Sequence, residues 1–140
     1  MHPSIINAIP ERIRFSLDIR GIDEERFHGV ARDIAAFAED AARKRGMTAE
    51  YTERQNLPST PLDARIVAAL TTAAEATGEP FMVMHSGAAH DTMCVADHVP
   101  CAMVFVPCKD GISHSPLEDA DPADAGLAAE IILNAIAALR

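Results

Sequence analysis

Residues 13–20, Ile-Arg-Phe-Ser-Leu-Asp-Ile-Arg, alternate strictly between apolar and polar. Ile13, Phe15, Leu17 and Ile19 fall on one face, and Arg14, Ser16, Asp18 and Arg20 on the other. A period of two predicts a half-buried β-strand, which Gly21 ends. The period then lengthens. Phe27, Val30, Ala31, Ile34, Ala38, Ala41 and Ala42 recur at three- and four-residue steps, the stripe of an amphipathic helix. Asp23 is placed to cap that helix, with Glu24 and Glu25 in its first turn. Arg43, Lys44 and Arg45 suit the negative end of its dipole, and Gly46 suits a left-handed stop. A strand over about residues 48–54 follows, so the first lobe reads β-α-β.

Residues 56–61 form a connector containing Pro58 and Pro61. Thr60, with Pro61 at the first helical position, predicts a helix start; the helix runs through Ile66, Val67, Leu70 and Ala73 to Gly78. Beyond Pro80 the pattern changes again. Residues 81–85 (Phe-Met-Val-Met-His) and 102–106 (Ala-Met-Val-Phe-Val) are continuous apolar runs, as in strands buried on both faces of a helix-covered sheet. A short helix lies between them. Asp121 and Pro122 open a last helix with Leu127, Ile131, Ile132, Ala135, Ile136 and Leu139 turned inward. The expected fold is α/β (α+β) in two lobes, residues 1–57 and 58–140, the second reading α-β-α-β-α.

Composition narrows the functions open to this pattern. The net charge is −9, with nine Lys/Arg against ten Asp/Glu in residues 1–58 and three against eleven in residues 59–140. Neither part has the basic footprint that nucleic-acid binding needs. No apolar run approaches the ~20 residues that cross a bilayer, and the first residues lack a signal peptide's pattern. The expected location is the cytoplasm. Cys94, Cys101 and Cys108 are spaced by seven, unlike a zinc-knuckle or Cys-x-x-Cys pair. They are expected to be buried free thiols.

Candidate chemistry falls in the two loops that follow the apolar runs, where open α/β sheets place their sites. Residues 86–91 read Ser-Gly-Ala-Ala-His-Asp, and residues 109–116 read Lys-Asp-Gly-Ile-Ser-His-Ser-Pro. Each carries a His among small or turn-forming residues, able to serve a cleft as a metal ligand or polar contact. The plain alternative for each is a surface histidine. His28, His85, His98 and His2 are read as structural or solvent-facing.

The stretches SGAAHD and MVFVPCKDGISHSP, in that order and spacing, resemble the C-terminal catalytic segment of the hydantoinase/carbamoylase family of zinc amidohydrolases. Residues 6–20, from Ile-Asn-Ala-Ile-Pro to Phe-Ser-Leu-Asp-Ile-Arg, resemble the same family's lid segment. The resemblance implies that His114 is the last metal ligand and that Asn7 and Arg20 receive the substrate carboxylate. His90, with Asp91, matches the family's His-Asp dipeptide at the cleft edge and is a substrate-binding candidate; Ala89 stands where the family has Gly. For Arg20 the residues alone favour a salt bridge with Asp18 or a helix carboxylate.

The same resemblance implies a two-metal site, of zinc or of manganese or cobalt, built mainly from an N-terminal segment with a His-x-Asp motif and a Glu-Glu pair. There is no His-x-Asp here, and Glu24-Glu25, the sole Glu-Glu, opens an amphipathic helix. The 140 residues are therefore expected to be the C-terminal portion of a hydrolase cleaving the carbamoyl C–N bond of N-carbamoyl-amino acids or related ureido acids. They are expected to hold no catalytic base, not to retain the metal, and not to act without the missing segment. Within the family, allantoate or ureidoglycolate stays open as substrate. A homodimer is the expected assembly, and a non-catalytic dimerisation or association module is the alternative function.

Overall fold

A computed structural model of the chain describes residues 6–7 and 9–140. His2 and Ala8 lie outside the described residues. The chain divides into two compact units, Met1–Ser59 and Thr60–Arg140.

The first unit is organised on α1 (Glu24–Arg43). Asp23 caps it as its sequence predicts: the carboxylate accepts the Arg26 N–H at 3.0 Å, satisfying one of the otherwise unpaired donors of the first turn. Gly46, at φ +67°, turns the chain away from the helix end. Asp40 holds Arg43 and Lys44 on the last turn. The connector folds back at its end, where the Ser59 N–H and Oγ–H both donate to a Glu24 carboxylate oxygen, at 2.9 and 3.2 Å. No residue of α1 is fully buried.

The second unit is built on α2 (Ala64–Thr77) packed against α4 (Pro122–Ala138). Ala73 and Ala74 on α2 and Ala135 on α4 are its buried side chains. Small residues here let the two helix backbones approach closely. The start of α2 is a correction to the sequence reading. Asp63, not Thr60, is the cap, accepting the N–H groups of Arg65 and Ile66, both at 3.0 Å. The Asp63 N–H donates to the Cys101 carbonyl, which keeps residue 63 out of the helix, so the first turn starts three residues later than expected. Gly78, at φ +78°, ends α2 in the left-handed conformation that a Cβ would strain. A short α3 (Asp91–Val95) lies between the apolar runs, and Asp121 caps α4 through the Ala123 N–H at 2.8 Å.

The expected strands are the larger correction. Among the described residues there is no strand; an isolated antiparallel bridge joins Cys108 and Ala120. A helix satisfies its backbone within its own segment, whereas a strand needs a neighbour to bond with. Residues 13–20, 48–54, 81–85 and 102–106 have no laddered neighbour among the described residues. Their apolar side chains are correspondingly open: Phe15 is 71 % exposed and Met82 76 %. The expected burial of residues 81–85 on both faces does not occur.

The accessible surface measures the same shortfall. The chain exposes 11781 Å². A folded monomer of this mass exposes about 7,000 Å², and two separate folded units of these sizes about 8,500 Å². Much apolar surface thus remains in water.

Candidate functional site

The loop after residues 81–85 is held by its own side chains. Ser86 Oγ lies 2.6 Å from His90 Nε2 and accepts the Ala88 N–H at 3.1 Å. The His90 ring tilts onto Phe105, with centroids 5.4 Å apart, so the second apolar run supplies a wall for the first loop's imidazole. Ser86, Ala88 and His90 are half-buried. His90 also marks the start of α3, where its carbonyl accepts the Met93 N–H at 2.9 Å.

The loop carrying His114 is closed at its base. The Cys108–Ala120 bridge and a 2.7 Å bond from the Lys109 N–H to the Asp119 carbonyl tie its two ends together. A 3-10 turn at Lys109–Gly111 begins it, with Asp110 at φ +56°. His114 is itself left-handed, at φ +56°. That conformation costs an L-residue about 1 kcal/mol and needs local compensation. Glu118 supplies it, accepting the His114 backbone N–H at 2.6 Å, while the Ser115 carbonyl accepts the Glu118 N–H at 3.0 Å. The exposed His114 ring has Nδ1 3.2 Å from Ser113 Oγ. His90 and His114 share no hydrogen bond.

The first unit holds Asn7 and Arg20. Asn7 is exposed in a turn. Arg20 makes the ion pair with Asp18 that the residues alone favour: Nε reaches the two carboxylate oxygens at 3.0 and 3.2 Å, and a terminal nitrogen reaches Oδ2 at 2.7 Å. The hydrogen bond from Arg20, aided by its charge, holds the Asp18 carboxyl below the ordinary carboxylate range, and Asp18 raises Arg20 in turn. Both groups are exposed, so this is a solvated pair. Arg20 also lines an open groove of about 360 Å³ with Arg26, Asp23 and the apolar Ile22, Phe27 and Val30. Two guanidiniums beside apolar side chains can receive a carboxylate and the aliphatic body attached to it.

Three supporting residues escaped the sequence reading: Ser86, Glu118 and Arg26. Ser86 and Glu118 stand four positions from the histidines they hold, a spacing that signals contact in a helix but says little in a loop. The cysteines are free, as expected, but Cys94 is exposed and Cys101 and Cys108 are half-buried, so full burial is corrected. His28 stacks on Phe27 at 4.1 Å, and His85 and His98 are exposed.

His114 suits a metal as a single exposed imidazole donor. Among the described residues, however, no group of three or more His, Cys, Asp or Glu side chains is placed to hold an ion. Protein zinc sites use three or four such ligands. The residues present do not fit a complete site, and their geometry assigns no step to a metal. No helix among the described residues is long and apolar enough to cross a membrane.

Residues 6–138 match the model of Peptidase family M20/M25/M40. A ureidoglycolate hydrolase of Oryza sativa subsp. japonica is 31% identical over 140 residues, covering 99% of this chain and 29% of that protein. An N-carbamoyl-L-amino acid amidohydrolase of Geobacillus stearothermophilus is 33% identical over 136 residues, 97% of this chain and 33% of that protein. The crystal structure of a hydantoinase/carbamoylase family amidase from Burkholderia multivorans superposes with a TM-score of 0.78 at 31% identity, over 83% of this chain and 28% of that one. The resemblance carried by SGAAHD and MVFVPCKDGISHSP is borne out. The chain spans about three-tenths of the length of the curated relatives it matches.

Proposed function

The chain belongs to Peptidase family M20/M25/M40, and on that footing we propose that it supplies part of a cytoplasmic, metal-dependent amidohydrolase acting on the carbamoyl C–N bond of N-carbamoyl-amino acids or related ureido acids. Allantoate and ureidoglycolate belong to the same chemical class. The observation that carries this reading is the loop of residues 108–120, closed at its base and presenting His114 in a braced left-handed conformation. Backbone strain held by its surroundings is characteristic of functional positions.

In this proposal His114 is the last ligand of a zinc, manganese or cobalt site whose other ligands come from outside these residues. The metal, when bound, would polarise the ureido carbonyl and acidify a water. Arg20, with Asn7, receives the substrate carboxylate, exchanging Asp18 for it. Arg26 lies in the same groove with Asp23, beside the apolar side chains that would take the amino-acid side chain. His90 contacts the substrate at the edge of the cleft. The α/β layout would be completed by strand neighbours for residues 13–20, 48–54, 81–85 and 102–106.

Titration of the ¹⁵N-labelled chain with an N-carbamoyl-L-amino acid tests the binding part. Perturbation of Arg20 and His90 is expected, lost with the analogue lacking the carboxylate. Equal perturbation by both compounds would overturn it. The 140 residues are expected to show no turnover by themselves; near-stoichiometric zinc with robust hydrolysis would contradict that.

The open apolar surface favours a second reading, a non-catalytic homodimerisation or association module. Light scattering decides it: a monodisperse dimer supports retained association, and a clean monomer argues against it.

A further inference from the structure

The polar atoms around His90 carry more than a contact. Ser86 Oγ has one hydrogen and three neighbours: the Ala88 N–H at 3.1 Å, His90 Nε2 at 2.6 Å and the Ala88 carbonyl at 3.3 Å. The Ala88 N–H can only donate, so it occupies a lone pair of Oγ. The single hydroxyl hydrogen must then go either to Nε2 or to the Ala88 carbonyl.

The distances choose between them. Hydrogen bonds from a hydroxyl to an oxygen have heavy atoms roughly 2.5–3.0 Å apart, and those from a nitrogen to an oxygen roughly 2.7–3.2 Å. The separation of 2.6 Å is shorter than the range for an imidazole N–H donating to oxygen. The opposite arrangement would turn the hydroxyl to the Ala88 carbonyl at 3.3 Å, beyond the hydroxyl range. Both distances favour Ser86 donating to Nε2. A neutral imidazole that accepts at Nε2 carries its proton on Nδ1.

We infer that Ser86 is a positioning residue that sets the tautomer of His90, so that the ring offers Nδ1–H as a hydrogen-bond donor to a carbonyl or carboxylate oxygen of the substrate. The tilted contact with Phe105 limits how the ring can turn, and no hydrogen bond is made by Nδ1 among the described residues. The chemical class follows from the donor: a ureido or carboxylate oxygen can be bound there, whereas an ammonium group cannot. The ligand half of this inference rests on the substrate-binding reading of His90; the tautomer half does not.

The test is long-range ¹H–¹⁵N correlation of the histidine-labelled full chain at about pH 8.5, well above the ordinary imidazole range near 6.5. His90 is expected to show a pyrrole-like Nδ1 and a pyridine-like Nε2. Ser86→Ala is expected to return the ring to the Nε2–H form that free side chains favour, and Ser86→Thr to restore the native pattern. Unchanged helix signals in each variant confirm that the fold is retained. A native His90 in the Nε2–H form, or one unaltered by Ser86→Ala, overturns the tautomer assignment. N-carbamoylglycine is then added. A shift of the His90 Nδ1–H signal supports the ligand half, and its absence overturns that half while leaving the tautomer result standing.

Discussion

Helices α1 and α4 begin alike. Each opens on an aspartate, Asp23 or Asp121, whose carboxylate accepts a first-turn N–H, and each has an acidic residue close behind. They end in different circumstances. α4 lies on α2 and buries Ala135, which is 2 % exposed, whereas α1 buries no residue fully. Caps and periodicity suffice to place a helix, but they do not decide whether its apolar stripe finds a partner. The second unit therefore holds the fully buried side chains among the described residues, and the first depends on hydrogen bonds such as Ser59 to Glu24.

The sharpest way to break this contrast is a small-to-large change on each helix. Ala135→Leu is expected to destabilise the second unit by about 1–3 kcal/mol through overpacking. Ala36→Leu, on an exposed face of α1, is expected to stay within about 0.5 kcal/mol. Thermal unfolding of the two variants gives the comparison, and equal shifts would abolish it. Next in size is Asp63→Ala, which removes the acceptor for two N–H groups and is expected to cost about 1–2 kcal/mol, visible in global unfolding because α2 is packed.

Asp23→Ala should cost about 1 kcal/mol or less. Because α1 is not buried, the loss should appear as faster amide exchange of Arg26 and Phe27 without a matching change in α2 and α4. The smallest effect concerns Asp18. Its carboxyl titrates below the ordinary value near 3.8, so the pair with Arg20 is complete above that value and is lost as pH falls through the lowered one. Side-chain carboxyl shifts should show this, and Arg20→Lys should bring Asp18 back toward the ordinary value.

What could be read in the sequence divides along the same physical line. α1 and α4 were legible because their signals are local: Asp23, Gly46, Asp121 and Pro122 sit beside the turns they control. α2 was legible in body but not in onset, because the bond from Asp63 to Cys101 joins residues far apart in the chain. The strand expected at residues 13–20 rests on a true periodicity and that at 81–85 on a continuous apolar run, yet a ladder depends on a neighbour that neither pattern contains. At the site, His90 and His114 stood out by residue type. Ser86 and Glu118 did not, since what matters is the direction in which one oxygen points.

The left-handed turn at His114 also bears on which substitutions this position can absorb. Glycine and asparagine occupy that region of backbone space more easily than histidine does, so His114→Asn and His114→Gly are replacements the turn itself would welcome. A designer seeking only a more stable loop would choose one of them. That makes the position an unusually clean reporter: a change that relaxes the backbone while deleting the imidazole separates the demands of folding from those of chemistry at a single codon.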